Sequence, residues 1–243
     1  MEIYLLRPGA RGPVIAGRCL GTRRLFYWAA MVSGWLGIAG AVMAGAPGAF
    51  VSRGPGGGGS FFDPAINPAD PNDLWVTSDM GEVFHSSDFG GFWQTVDFRQ
   101  QLGGSQSGHM QFTSHPLVRY GLNGNLPARS NDGGVSWTNI APDPWNGYYF
   151  LSADPASTNR LLVSDYSTLL ISTNGGATYS ECFTTNDCLI AGAFWDGNTI
   201  YAGTRAGLVV STNGGASFAL AGLPGLGAGE QIVSFAGAKQ NGV

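Results

Sequence analysis

Lysine is almost missing from this chain. Only Lys239 stands among 243 residues, and charged side chains of all kinds make up 12%, about half of the ~25% usual in a soluble domain. Sixteen acids against twelve bases give a net charge of −4. That leaves no basic footprint for phosphates and argues against nucleic acid as a partner. Cysteine is scarce as well: Cys19, Cys182 and Cys188, the last two spaced too widely for a C-x-x-C zinc motif. The three histidines, His85, His109 and His115, have no metal-ligand spacing. Phosphate loops and serine elbows are absent too, so no metal and no cofactor is expected. A coiled coil or a charged disordered tail is excluded by the 44% hydrophobic content, and a collagen because the 39 glycines keep no triplet period.

What charge there is sits unevenly. Residues 1–46 hold five arginines and one acid, whereas residues 47–243 hold seven bases and fifteen acids. Arg7, Arg11, Arg18, Arg23 and Arg24 precede an uncharged run from Leu25 to Val51 that is rich in glycine and alanine. This is the order of an export signal. The small residues around Ala44 offer a cleavage site, and Thr22-Arg23-Arg24-Leu25-Phe26 is similar to the twin-arginine export pattern. Trp28 and Trp35 keep the alternative of an uncleaved signal anchor open, which would be the chain's one membrane contact. The expected division is residues 1–46 as signal peptide or anchor, 47–59 as a glycine-rich linker, and 60–243 as an exported domain, extracellular or periplasmic. Cys182 and Cys188 then remain as an even pair in an oxidising compartment, and a small-loop disulfide is expected.

The exported part is repetitive. Four segments fit S-x-[DN]-x-G-x-x-[aromatic], carried by Ser86, Asp88, Gly90 and Trp93; Ser130, Asp132, Gly134 and Trp137; Ser172, Asn174, Gly176 and Tyr179; and Ser211, Asn213, Gly215 and Phe218. The leading serines are 44, 42 and 39 residues apart. A period near forty with short alternating strands predicts an all-β propeller of four-stranded antiparallel blades. Each repeated turn joins the third and fourth strands of a blade. Its Ser and Asp or Asn bond the turn's own backbone, its glycines permit positive φ, and its aromatic packs between sheets. Four blades are accounted for, and Gln231–Ala236 reads as the innermost strand of a fifth. The expected whole is the N-terminal part of a seven- or eight-bladed ring, or else a chain that closes by self-association.

These turns resemble the Asp-box, or BNR repeat, of sialidases, of the xyloglucanases of glycoside hydrolase family seventy-four, and of sortilin-type receptors. The first blade is most similar to the xyloglucanases. There a glycine run, an N-P-x-x-P segment and a T-D-[IV]-G-G motif correspond to Gly56–Gly59, Asn67–Pro71 and Thr77-Ser78-Asp79-Met80-Gly81. The resemblance implies an inverting glycoside hydrolase acting on a polysaccharide such as xyloglucan or a β-glucan, with Asp79 as general base. Ser78 and Glu82 depart from the pattern, and the family's catalytic acid lies beyond this chain. No sialidase F/Y-R-I-P motif is found.

Position in the blade gives the same emphasis. Seven residues before each leading serine stand Asp79, Asn123, Asp165 and Thr204, in the turn between strands two and three, on the rim that also carries the long inter-blade connections. Asp79 and Asp165 are the two candidate carboxylates, Asp79 the sharper, with a turn residue that bonds the amide two positions on as the alternative for Asp79. Trp145, Asn146 and Tyr148 put rings beside amides, suited to stacking on sugars, with inter-blade packing as the alternative. Asn123, His109 and Arg99 complete the candidate binding residues. Polysaccharide or glycan is the expected partner, and a non-catalytic surface propeller binding protein or glycan is the competing function.

Overall fold

The computed structural model describes residues 2–5, 14–15, 51–56, 59–222, 225 and 230–238. The expected cleavage site after Ala44, the apolar run before it and Cys19 lie outside them. Two short strands, β1 (Glu2–Leu5) and β2 (Val14–Ile15), come first. Four antiparallel four-stranded sheets follow. The first is β3 (Phe61–Asn67), β4 (Asp70–Ser78), β5 (Val83–Ser86) and β6 (Gln94–Thr95). The second is β7 (Gln111–Phe112), β8 (Arg119–Asn123), β9 (Leu126–Ser130) and β10 (Thr138–Asn139). The third is β11 (Phe150–Ala153), β12 (Leu161–Ser164), β13 (Thr168–Ser172) and β14 (Ser180–Thr184). The fourth is β15 (Ile190–Asp196), β16 (Thr199–Thr204), β17 (Gly207–Ser211) and β18 (Ala219–Leu220). In a further sheet β19 (Phe235–Ala238) pairs with β1, and β1 with β2. The first strands of the four sheets, together with Gly237 of β19, line one cavity of about 420 Å³. They are therefore the inner strands of blades ranged about an axis, and the architecture is the expected β-propeller.

The blades share one register. Leu74, Arg119, Leu161 and Ile200 each face the leading serine of their own repeated turn across the ladder. Because side chains alternate along a strand, this register decides which neighbour each residue meets. Leu161 and Val163 of blade three join Tyr120, Leu122 and Tyr148 in the junction with blade two. Leu162, one residue out of phase, joins Ile200, Ala202 and Val209 in the junction with blade four. Tyr201 turns the other way, towards Phe235 and Ile232. Each middle blade thus buries both faces, which is why β12 reads Leu-Leu-Val rather than as an apolar–polar alternation.

The four repeated turns sit where the sequence puts them, between the third and fourth strands, and share one set of bonds. The serine Oγ accepts the amide of the fourth residue on, at 2.8–2.9 Å. The Asp or Asn Oδ1 accepts the amide of the sixth, at 2.8–3.1 Å. Ser136 donates its hydroxyl to Asp132, whereas Asn174 and Asn213 donate their amides to Thr178 and Ser217. The donor changes sides and the turn survives, so an acid is not required. The bond from Ser136 holds the Asp132 carboxyl down at about 2, that of a turn anchor rather than an acid catalyst.

Each turn also leans on the blade before it. A side chain on Gly134 would approach Trp75, and one on Gly176 would run into Ile140. At Gly215, with φ +94°, a Cβ would stand 2.1 Å from Ile171 Cδ1. At Gly90 the neighbour is only the extended segment before blade one: a Cβ would lie 2.5 Å from the Arg53 carbonyl, which also accepts Trp93 Nε1–H.

Two expectations are corrected. Strand β19 begins at Phe235 rather than Gln231, since the Ile232 amide bonds the Thr204 carbonyl of blade four. The Cys182–Cys188 disulfide is absent, and both thiols are free and buried. Cys182 Sγ is directed at the Leu169 carbonyl, 3.2 Å away within its own sheet. Burial pushes the two thiols up to about 12 and about 11, leaving little reactive thiolate.

The glycine contacts separate strain from crowding. A Cβ on Gly214, φ +74°, would make only ordinary contacts, with Asn198 Oδ1 at 3.6 Å and an Arg160 nitrogen at 3.9 Å, whereas Gly215 is filled by Ile171. Gly214→Ala should cost about 1–2 kcal/mol from the left-handed backbone alone, and Gly215→Ala about 1–3 kcal/mol more from overpacking. Thermal unfolding of the two variants checks the order.

Candidate functional site

The rim opposite the repeated turns is woven from two kinds of loop. The connection between blades one and two bonds both neighbouring turns: Gly103 N–H to the Gly81 carbonyl, and Gly124 N–H back to Leu102. The connection between blades two and three does the same through Tyr148 N–H to Asn125 and Tyr149 N–H to Ser164. The rim that carries Asp79, Asn123 and Asp165 therefore has a backbone fixed by hydrogen bonds.

Asp79 stands exposed at the tip of the first turn. Its amide donates to the Ser60 carbonyl, and its Oδ1 accepts the Ser60 amide at 2.9 Å. A Cβ on Gly59, φ +76°, would lie 2.3 Å from that oxygen, so the glycine run is what lets the backbone approach the carboxylate. The two departures from the xyloglucanase pattern turn out to be partners: Ser78 Oγ donates to Glu82 Oε2 and accepts the amides of Met80 and Glu82. A second, half-buried carboxylate thereby enters the turn that carries Asp79. Sequence reading passed over Glu82, although its presence in place of a glycine was the signal.

Asp165, at the equivalent position of blade three, is saturated. Its Oδ1 accepts the amides of Ser167 and Thr168 at 2.9 and 2.7 Å, and its Oδ2 accepts Asn146 Nδ2–H at 3.0 Å. Partial burial works against the charge, but these donors outweigh it and hold the carboxyl below its ordinary value. Asp165 is a turn anchor, both of its oxygens already accepting hydrogen bonds. Asn123 is likewise committed, accepting from Leu102 and donating to the Gln100 carbonyl.

Two proposed binding residues are corrected outright. His109 is buried: its amide donates to Asp63 Oδ2 at 2.6 Å, and its ring Nδ1 lies 2.9 Å from the Gln106 carbonyl. It closes the seam between blades one and two and cannot reach a ligand on the rim. Tyr148 is buried in the junction of blades two and three, its hydroxyl accepting the Asp143 amide. Arg99 is exposed but closed on its own turn, forking onto Asp97 at 2.6–3.2 Å.

Trp145 is the opposite case. At 96% exposure it is the most exposed large apolar side chain among the described residues, yet its backbone is pinned. Its amide donates to Asp143 Oδ1 at 2.9 Å, and the next amide, of Asn146, bonds the Asp143 carbonyl. The bond from Asn146 to Asp165 ties this connection to the turn carrying Tyr166, which is 64% exposed and stacks on Tyr149 at 4.7 Å between ring centroids. Two solvent-facing rings thus flank one polar bridge. Tyr166 was not singled out from sequence, because a tyrosine after Asp165 is an ordinary turn neighbour until its exposure is seen.

The densest polar cluster lies away from this rim, at the seam of blades one and two. Asp73 Oδ1 accepts Trp75 Nε1–H at 2.6 Å and lies 3.0 Å from His85 Nε2. Its Oδ2 accepts from Asn67 at 2.9 Å and from Arg119 at 2.7 Å. The Arg119 guanidinium lies 5.6 Å from the Trp75 ring centroid and 5.1 Å from that of Phe112. Burial alone would raise the Asp73 carboxyl. The bonds from His85, Asn67 and Trp75 and the Arg119 charge prevail and hold it far below the usual carboxylate range.

No family model matches the chain, and no curated protein matches it. Solved structures do. An ancestral GH74 enzyme is similar with a TM-score of 0.59 at 20% identity, over 70% of this chain and 25% of that one. The Niastella koreensis GH74 enzyme follows at 0.50 and 19%, over 65% and 24%. The extracellular domain of a one component system from B. thetaiotaomicron gives 0.50 at 13% identity, over 67% and 23%. The chain spans about a quarter of the length of each, and at these identities the likeness is one of fold.

The Asp73 network sets a pH dependence. A carboxyl depressed in the folded state stabilises it above the unfolded value, near 3.9, and loses that contribution as pH falls towards the folded value. Stability should therefore decline below about pH 4. Asp73→Asn, which strands Arg119, should cost about 3–5 kcal/mol at neutral pH, with the gap to wild type narrowing on acidification. Urea unfolding at pH 7 and pH 3 measures both.

Proposed function

We propose that this chain is part of an exported carbohydrate-active propeller of the glycoside hydrolase type, with the rim of inter-blade connections as its ligand face. The repeated turns are read as Asp-boxes and residues 1–46 as the export segment. The observation that carries the proposal is Trp145. A ring left 96% in solvent on a connection fixed by hydrogen bonds is a preformed platform, and a flat apolar face beside an amide suits a pyranose ring of a β-glucan or xyloglucan. The fold shared with GH74 enzymes supports the class coarsely. Within it Asp79 is the general base, since it is exposed and held through one oxygen by the Ser60 amide. Glycoside hydrolysis needs a second carboxyl as acid, which the resemblance places beyond this chain.

The competing reading, a non-catalytic surface propeller, draws on Asp165, whose acceptor positions are filled by its own turn and Asn146. Variants separate the two. Trp145→Ala should weaken polysaccharide binding roughly ten-fold or more, in line with about 1–3 kcal/mol for a lost stacking ring. Asp79→Asn should abolish cleavage by the whole protein and leave binding intact. Affinity electrophoresis and reducing-sugar release read the two effects. Binding that survives Trp145→Ala and a wild type inert on β-glucans would remove the enzymatic reading.

A further inference from the structure

The four repeated turns are not equally closed. Six residues after the leading serine stand Ser136, Thr178 and Ser217 in the second, third and fourth turns. Each hydroxyl is bonded to the side chain of its own Asp132, Asn174 or Asn213. In the first turn that position is Phe92. Its amide still donates to Asp88 Oδ1 at 2.8 Å, beside the Ser86 hydroxyl, but no side chain reaches Asp88 Oδ2. The bonds from Phe92 and Ser86 hold the carboxyl below its ordinary value, so it stays ionised. The Phe92 ring meanwhile stands 64% in solvent.

Asp88 and Phe92 share a cleft of about 90 Å³ with His85, Ser87 and Gln94. Gln94 faces His85 across the β5–β6 ladder, so the two side chains emerge on one side of the sheet. His85 is oriented from beneath. Its ring stacks on Trp75 at 4.0 Å between centroids, and its Nε2 lies 3.0 Å from Asp73 Oδ1. Asp73 is a carboxylate and accepts, so Nε2 carries the proton and Nδ1 is left as the free acceptor of the ring. His85 and Gln94 also line a second cleft, of about 200 Å³, which continues past Trp75 and Gln100 to Gly134 and Val135 of the second repeated turn. A lateral groove thus joins the first two repeated turns, at the end of the blades opposite Asp79.

We infer that this lateral groove is a second carbohydrate-binding site, separate from the rim, for a short stretch of neutral glycan chain. The inference rests on the polysaccharide reading given above. The free groups are complementary to sugar hydroxyls: Asp88 Oδ2 and His85 Nδ1 accept, and the Gln94 and Gln100 amides both donate and accept. Phe92 at one end and Val135 at the other offer apolar surface to the C–H face of a pyranose ring. An anionic ligand does not suit the groove. Of its two acids, Asp97 is paired with Arg99, and Asp88 keeps its charge open. The first turn lacks a bond that the other three keep, and in its place stand an exposed ring and an open carboxylate oxygen.

The test uses variants for which the chain itself holds the precedent. Phe92→Ser installs the residue of the second and fourth turns, and Asp88→Asn that of the third and fourth, so both should melt no lower than wild type. Each is combined with Trp145→Ala, which removes the rim platform, and cellohexaose and a xyloglucan nonasaccharide are titrated by calorimetry. Trp145→Ala alone should retain a glycan-binding event. Adding either substitution should weaken it roughly ten-fold or more, as expected for a lost anchoring ring or charge-assisted bond. The NMR signal of His85 Nδ1 should move when Trp145→Ala protein is titrated and stay still when Phe92→Ser is added. Binding untouched by both groove variants, an unmoved His85 signal, or no binding of either oligosaccharide by Trp145→Ala protein would overturn the inference. A Phe92→Ser protein that melts below wild type would mark the ring as structural and count against it as well. Wild-type binding that depends only on position 145 keeps the rim and removes the groove, whereas binding that ignores Trp145→Ala and falls with Phe92→Ser does the reverse.

Discussion

A four-stranded sheet apolar on both faces has no stable existence by itself, and every other feature of this chain answers to that constraint. Burial must come from the neighbouring blade, so each strand is read twice: odd residues to one neighbour, even residues to the other. The Leu161-Leu162-Val163 run is the plainest case, split between two junctions by the pleat alone. The repeated turns serve the same end. Their bonds are satisfied internally by Ser and Asp or Asn, which frees the glycine pair to come close to the preceding blade. A Cβ there would hold the blades apart, and the junction apolar surface would stay wet.

The junctions are not alike. Between blades three and four the contact has an apolar core of Phe150, Leu162, Ile200 and Trp195, with Arg160, paired to Asp154, reaching across to the Gly197 and Gly214 carbonyls. Between blades one and two an ion pair stands in the middle, with Arg119 held between aromatic rings and Asp73 taking four donors. Such a pair stabilises little in net terms, because desolvation offsets most of the attraction. Its consequence is orientation: a guanidinium fixed by one carboxylate and two rings admits one arrangement of the blades, where aliphatic side chains would admit several. That seam lies between Asp79 and the rest of the rim.

The fold was legible because its grammar is local. The turn motif, its spacing near forty and the strands before it all concern residues close in sequence, and the structure keeps them in place. The site was less so. Tyr148, His109 and Trp145 belong to similar-looking connections rich in glycine, asparagine and aromatics, yet two are buried and one is bare. What divides them is which backbone amide finds a partner on the adjoining blade, a long-range fact with no signature in spacing. The disulfide failed for a related reason: an even pair of cysteines states an opportunity, and Cys182 is turned into its own sheet towards Leu169.

Equivalent positions in a repeat need not share chemistry. Asp79 and Asp165 occupy the same turn position, and in the sequence only the resemblance of the first blade sets Asp79 ahead. Their neighbours separate them. Asp165 is followed by Ser167 and Thr168, whose amides fold back onto it, and Asn146 takes its remaining oxygen. Asp79 is followed by Met80 and Gly81, and the amides of Met80 and Glu82 are drawn to Ser78 instead. Ser78 and Glu82 thus relieve Asp79 of the task that Asp165 performs for its own turn. Asp79 commits one oxygen to the Ser60 amide and none to its own turn, and that difference, more than the aspartate itself, marks the first blade out from the third.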